Sequence, residues 1–529
     1  MTKIPKIADI PEDQRTPLVV ALLEIIELQR EQIQQLRDEI ARLKGEKPKP
    51  DIKPSKLGKS MEAQKKESPA GGKRPGSTKR SKTRELVIQE TKVIPPESVP
   101  QGSRFKGYED YVVQDLVIHS HNTRYRVEKW QTPEGDYISG KLPPELSGGH
   151  FGPTLVSFIL YQHYQAHVTQ PLILEQLEEL GIEISSGQIN RIITEGKEQY
   201  HTEKELILRV GLEVSGHINV DDTGARHQGK NGYCTHIGNE LFAWFESTDS
   251  KSRINFLKLL RTGHTDYVVN EDALDYMQAQ GLGKGQIGLF AVCANSRFEN
   301  DEEWKAHLGA LNIKGERHVR ITTEGALIGS ILDHGFNRDL VIVSDDAGQF
   351  NILLHALCWI HAERTIKKLI GYTEEQRQAL EDSRSRIWGL YADLKAYKEA
   401  PDEAGKVELE ARFDELFTEK TCFVSLNQAL KRIHKNKREL LLVLDRPDIP
   451  LHNNLSEGDI REYVKRRKIS GSTRSDTGRS CRDTFASLKK TCRKLGISFW
   501  EYLKDRLSGE RAIPSLADLI RLRAEQSAA

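Results

Sequence analysis

The spacing of apolar positions divides the chain into segments of different period. Between residues 18 and 44, Leu22, Ile26, Gln29, Ile33, Leu36, Ile40 and Leu43 recur in steps of four and three. Placing Ile26, Ile33 and Ile40 at a and the other four at d gives the pattern of a parallel two-stranded coil. This helix, residues 1–45, is expected to hold a homodimer or higher oligomer together; an amphipathic helix packed on its own globule is the alternative. The periodicity then stops. Residues 46–100 are rich in Lys, Pro, Ser and Gly and read as a disordered basic linker. Residues 101–148 alternate, predicting short strands at Tyr111–Val113, Leu116–His119 and Arg124–Trp130, with a turn at Pro133–Asp136. Arg124 and Arg126 would share one strand face.

A helical period returns over 149–212. Gly181 reads as a helix end and Ser185 or Ser186 as the next cap, which is helix-turn-helix spacing. The second helix would offer Gln188, Asn190 and Arg191 to a DNA groove; an ordinary helical hairpin has the same pattern. Three strand-like runs follow at His217–Asp222, Tyr233–Ile237 and Leu241–Phe245, joined by tight turns into a meander. Asp221 and Asp222 point to opposite faces, so only one of them can enter a given site. Ser252–Leu260 is amphipathic, and 263–335 mixes short elements without a clear order. Asp339–Ser344 is a continuous apolar run suited to a strand buried on both faces, and it ends at Asp345. A helix carrying Cys358, Trp359 and His361 is expected next, with Cys358 and His361 on one face. Residues 373–440 are helical and polar. At Asn453–Asn454 the Asn pair reads as a helix cap, placing Glu457 in the first turn and Arg461 and Lys465 along roughly the same face. The basic run Lys465–Lys468 and the loop Ser470–Arg474 follow, then helices at 483–507 and 514–524.

Composition narrows the class. At 529 residues several domains are required. No apolar run reaches the roughly 20 residues of a membrane helix, and the N-terminus lacks a signal-peptide core, so a cytoplasmic, nucleoid-associated protein is expected. Six scattered cysteines without a C-x-x-C pair suit reduced thiols rather than a zinc ribbon or disulfide framework. The net charge of +1 conceals basic blocks: 13 Lys/Arg against 3 acids over 47–84, and 20 against 10 over 430–506. Local basic segments in a near-neutral chain point to a polyanion partner.

Two Asp at strand ends and a Glu on a later helix, amid basic sequence, suit phosphodiester chemistry. Such chemistry needs charge stabilisation at the attacking and leaving oxygens, which two Mg²⁺ held by a few carboxylates supply. The motifs resemble those of the transposases of insertion sequence 66, DDE enzymes with an RNase H-like core. Asp221-Asp222-Thr223 matches the family's D-E-T. Asp345-Asp346 followed by Cys358-Trp359-Ile360-His361-Ala362-Glu363-Arg364 stands in the place of D-G and C-W-x-H-x-R-R, with Asp346 for the Gly and Glu363 for the first Arg. His452-Asn453-Asn454-Leu455-Ser456-Glu457-Gly458, then Arg467-Lys468 and Gly471-Ser472, match D-N-N-x-x-E-R, R-K and G-S.

The resemblance implies Asp221, Asp345 and Glu457 as catalytic and as ligands of Mg²⁺ (or Mn²⁺). It implies 3′-end cleavage and strand transfer between double-stranded transposon ends and target DNA, with terminal inverted repeats recognised upstream and element-encoded accessory proteins as possible partners. It also implies a core over 213–475, with insertions at 263–335 and 373–440 and a helical region at 476–529. Arg461, Lys465, Arg467 and Lys468 would meet DNA, and Cys358 and His361 would be auxiliary; a helix packing Cys358 and Trp359 into the core, with His361 hydrogen-bonded, is the alternative and the favoured one. The chain departs from the family at Asp222, His452 and Gly458, in the long segment between Asp221 and Asp345, and in lacking cysteine at 95–145, where a zinc module usually lies. A relic that binds DNA without cutting it, and a nuclease that cuts without joining, are the competing readings.

Overall fold

The computed structural model describes residues 87–143, 149–292 and 295–528, with isolated positions between 16 and 33. It separates into a unit spanning Glu24–His121 and a second made of Met1–Leu23 and Asn122–Ala529. Within the predicted N-terminal seam Leu22, Ile26, Gln29 and Ile33 are helical, and Leu36, Ile40 and Leu43 lie outside the described residues. Most of the basic linker, 46–86, also lies outside them.

In the first unit, 87–121 has neither helix nor strand and is almost wholly exposed. The strands expected at Tyr111–Val113 and Leu116–His119 do not form, and of Arg124–Trp130 only the end does. Alternation supplies a face but not a partner for the backbone groups, and a strand without a neighbour does not persist. In the second unit β1 (Lys129–Gln131) pairs with β2 (Tyr137–Ser139) as an antiparallel hairpin, the one place in this region where two segments meet in register. Its turn lies where Pro133–Asp136 predicted it, with Gly135 at φ +94°.

Four helices then lead to the sheet: α1 (Pro153–Leu160), α2 (Gln170–Glu179), α3 (Ser186–Thr194) and α4 (Glu198–Val214). Gly181 (φ +71°) ends α2, and the Ser185 side chain accepts from the Gln188 amide to cap α3.

The centre is a five-stranded mixed sheet. The meander β3 (His217–Gly224), β4 (Tyr233–Gly238) and β5 (Ala243–Thr248) is antiparallel. An inserted lobe follows, with α5 (Arg253–Leu260), β6 (Tyr267–Val269), α6 (Glu271–Ala279), α7 (Lys284–Ala291), β7 (Ser296–Phe298), α8 (Asp301–Ala310) and α9 (Glu316–Asp333); β6 and β7 pair antiparallel. The chain returns as β8 (Val341–Ser344), parallel to β3, and β9 (Leu354–Leu357), parallel to β8, giving the order β5-β4-β3-β8-β9. In β8, Val341 and Val343 join one apolar core while Ile342 joins another, as expected for a strand covered on both faces.

Beyond β9 come α10 (Trp359–Lys367), then α11 (Glu374–Tyr397), α12 (Glu403–Thr418), α13 (Val424–Lys435) and the short α14 (Lys437–Leu440), which pack a core of their own with β8 and β9. The chain ends with α15 (Asn454–Ser470), α16 (Asp476–Lys494), α17 (Phe499–Ser508) and α18 (Leu516–Ala528). Helix α16 seals the β5 edge in a way the sequence did not announce. Asp483, Ser487 and Thr491, one turn apart, accept hydrogen bonds from the backbone amides of Ser247, Phe245 and Ala243 at 2.8, 2.9 and 3.2 Å. A row of helix side chains thus replaces a sixth strand on an edge that would otherwise invite another chain.

Candidate functional site

Strand pairing sets the first two carboxylates side by side. The β3–β8 register matches Ile218 with Ile342 and Asn219 with Val343. Carried two residues further, it sets Asp221 level with Asp345 at the ends of neighbouring parallel strands, on one face of the sheet. Asp222 faces the other side, where Thr235 Oγ1 (2.5 Å) and Gln349 Nε2 (2.8 Å) donate to its two oxygens. Of the two, Asp221 is therefore the candidate beside Asp345.

Helix α15 brings the third carboxylate. It is fixed to the sheet by Asn453, whose fully buried side chain accepts from Asn219 Nδ2 (2.9 Å) and donates to the Val220 carbonyl (2.8 Å). The Asn453 amide also donates to Cys358 Sγ at 3.2 Å, linking the same point to the start of α10. Asn453 does stand at the cap position, but its side chain makes no cap hydrogen bond. The sequence reading of this Asn as a cap missed its reach into the sheet. One turn on, His236 Nδ1 meets Ser456 Oγ at 2.6 Å, and His236 Nε2 lies 3.2 Å from Asp459, which Lys494 also pairs at 2.7 Å.

Glu457 therefore sits in the first turn of α15 beside the two aspartates. Arg364 Nη1 donates to its Oε1 at 2.9 Å, His361 Nε2 lies 3.4 Å from the same oxygen, and exposed Arg461 lies 3.6 Å from the other. Burial pushes the Asp221 carboxyl up to about 7; the Asp222 amide opposes this, and the Asp345, Asp222 and Glu457 carboxylates add to it. Burial also lowers His361 below the usual imidazole value. The neighbouring carboxylate charges bear on Asp221, and a divalent cation such as Mg²⁺, which prefers hard oxygens and keeps some of its water, would relieve that repulsion. Asp221, Asp345 and Glu457 are the candidates to hold it, although their carboxylate oxygens do not all lie within 4.8 Å of one another.

Cys358 lies at the cap of α10 rather than within it, and His361 in the first turn. Leu354–Leu357 forms a strand, and Cys358 is the buried residue before the first turn of α10. Four apolar-rich residues carry too little period to separate a short strand from a helix start. Trp359 is buried, its indole donating to the Leu440 carbonyl at 2.9 Å. The basic run also divides. Lys465 and Lys468 are exposed and Arg467 donates to Thr223 Oγ1 (3.1 Å), while Arg466 is buried and donates to the His163 carbonyl (2.9 Å). On α3, Asn190 and Arg191 are exposed and Gln188 partly so. Arg191 donates to Gln188 Oε1 at 2.6 Å, and Gln170 donates to Asn190 at 3.2 Å. Sequence reading missed Asn219, Asn453, Gln349 and Arg364; of these only Asn453 and Arg364 stood inside a quoted motif.

Among the described residues no helix is long and apolar enough to cross a membrane. Cys234, Cys358, Cys422, Cys481 and Cys492 are free thiols, and Cys293 lies outside the described residues. A family model described as "Transposase IS66 family" matches residues 323–480, a stretch that holds Asp345, Cys358, His361 and Glu457. The chain is 43% identical over 321 residues to "Uncharacterized protein y4jO" of Sinorhizobium fredii (strain NBRC 101917 / NGR234); the match covers 60% of this chain and 100% of the relative. On the strength of the family match, the chain belongs to the IS66 transposase family.

Proposed function

We propose that the chain is a DDE-type DNA transposase that cleaves 3′ ends at the termini of an insertion sequence and transfers them into target DNA. The β3–β8 register that sets Asp221 level with Asp345, with Glu457 near enough for its charge to act on Asp221, is the observation that carries this reading. The sheet order, a meander followed by two parallel strands added beside its first member, supports an RNase H-like core. The long segment between Asp221 and Asp345 is taken up by a lobe with its own hairpin, so the extra length does not interrupt the sheet.

Asp221 and Asp345 present oxygens from adjacent strands, and Glu457 presents a third from α15. Two Mg²⁺ (or Mn²⁺) ions, when bound there, would stabilise charge on the attacking and leaving oxygens. Arg364 orients Glu457 and prevents it from turning into solvent. Arg461, Lys465, Arg467 and Lys468 line the helix that follows Glu457 and would hold the phosphate backbone, making affinity fall steeply with salt. The pair α2–α3 would act as the helix-turn-helix for terminal inverted repeats, with Asn190 and Arg191 reaching base edges and Gln188 orienting Arg191. The N-terminal seam would hold two copies together, as pairing two DNA ends requires, and the protein would act on the nucleoid in the cytoplasm.

Labelled DNA carrying the element ends, incubated with protein and Mg²⁺, tests the reading. Joined products are expected. Hydrolysis without joining would identify a nuclease, and binding without cutting an inactive relic; either result overturns the proposal.

A further inference from the structure

We propose that His264, Asp266 and His334 form a second metal site, for a divalent transition-metal ion of the zinc class, in the inserted lobe and independent of the carboxylate site. His264 and Asp266 lie on the turn between α5 and β6, and His334 is the residue closing α9, so the three come from two ends of the lobe. One ligand atom from each lies within 4.8 Å of the other two. Two imidazoles and a carboxylate are the donor set that such ions take, with solvent completing the tetrahedron.

Three features mark a built site. Asp266 is buried, and its carboxylate is aimed by neighbours: Ser330 Oγ donates to Oδ1 at 3.1 Å and Arg297 Nη1 to Oδ2 at 2.7 Å. Ligating carboxylates usually carry outer partners of this kind. His334 Nε2 lies 2.9 Å from Asp266 Oδ1, comparable with the roughly 3.3 Å between two ligand atoms on one tetrahedral zinc.

The second feature is the His264 ring. It has no hydrogen-bond partner among the described residues and stacks on His334 with centroids 3.6 Å apart and planes 14° apart. The third is the backbone that puts it there. Thr262 (φ +51°) and Gly263 (φ +94°) are both left-handed, a costly conformation for a β-branched residue, and Arg261 pins the turn by donating to the Asp266 carbonyl at 2.7 Å. An ion bound here would staple the turn before β6 to the end of α9, a few residues ahead of the strand that leads to Asp345.

The test uses the full-length protein stripped with a chelator and titrated with Zn²⁺ against a chromogenic competitor, with Co²⁺ as a spectroscopic probe. Wild type is expected to hold one ion per chain at this site, to give the visible band of Co²⁺ bound by nitrogen and oxygen, and to melt a few degrees higher with Zn²⁺. His264→Gln, which removes no protein hydrogen bond, should weaken that binding at least tenfold and abolish the thermal shift without lowering the metal-free melting temperature; His334→Gln should weaken it similarly. Asp345→Asn should leave it intact, separating this site from the catalytic carboxylates. Zn²⁺ or Co²⁺ binding that is unchanged in His264→Gln, or no saturable binding to wild type, would overturn the proposal and leave the cluster as an Asp266–Arg297–His334 ion network.

Discussion

Asn219 and Asn453, 234 positions apart, share a hydrogen bond of 2.9 Å between fully buried side-chain amides. Asn219 stands two residues before Asp221, and Asn453 is four residues before Glu457. The pair therefore fixes the distance between two of the three carboxylates. Asn453→Ala would leave the Asn219 amide and the Val220 carbonyl without this partner, costing about 1–3 kcal/mol of stability. The DNA-cleavage rate should fall by at least tenfold in protein that remains folded by circular dichroism. A folded variant cleaving at the wild-type rate would show that the pair only supports the fold.

The Asp221 carboxyl makes stability depend on pH in the absence of divalent metal. Its pKa is raised from 3.8 to about 7. Between these values the unfolded chain has released the proton and the folded chain keeps it, so this group's contribution to stability falls as pH rises across the window. In a chelating buffer, Asp221→Asn should therefore gain melting temperature relative to wild type between pH 5 and pH 8. Mg²⁺ should raise the wild-type melting temperature more at pH 8 than at pH 5 and have little effect on the variant. Parallel pH curves for the two proteins would count against a shared carboxylate site.

The helix side chains that close the β5 edge predict a different failure. Asp483→Ala removes the acceptor for the Ser247 amide, the Ser247 hydroxyl and the Tyr463 hydroxyl together. A loss of roughly 3 kcal/mol or more is expected for a buried hydrogen-bonded network of this kind. Light scattering on heating should show earlier association, since an uncovered edge is a template for pairing. Ser487→Ala, which removes one acceptor, should show a smaller effect in the same direction.

The exposed lysines on α15 should govern salt dependence rather than chemistry. Lys465→Gln with Lys468→Gln should reduce the slope of log affinity against log salt by about two, as expected for two lost phosphate contacts. Fluorescence anisotropy with end DNA measures this directly. An unchanged slope would place the DNA elsewhere on the surface.

Much of the fold was legible where spacing and chemistry agreed. The meander, the buried β8, the α2–α3 turn at Gly181 with its Ser185 cap, and the position of Glu457 all follow from apolar period and turn residues. The strands of 111–119 were misread because alternation does not reveal whether a partner exists. The β9 strand was missed because it is four residues long and runs directly into a helix. The candidate carboxylates come from motifs, and Asn453 and Arg364 stand in the same motifs without any sign of the contacts they make. Asn219 and Gln349 act across long separations in the chain, and nothing in their immediate sequence distinguishes them from ordinary surface or strand residues.

The most direct measurement is the position of Mn²⁺ in crystals of the protein, read from its anomalous scattering. A peak coordinated by Asp221 and Asp345, with Glu457 at or beside the ion, is expected, as is its loss in Asp345→Asn. Mn²⁺ bound elsewhere, or these three carboxylates left without it at saturating concentration, would contradict it.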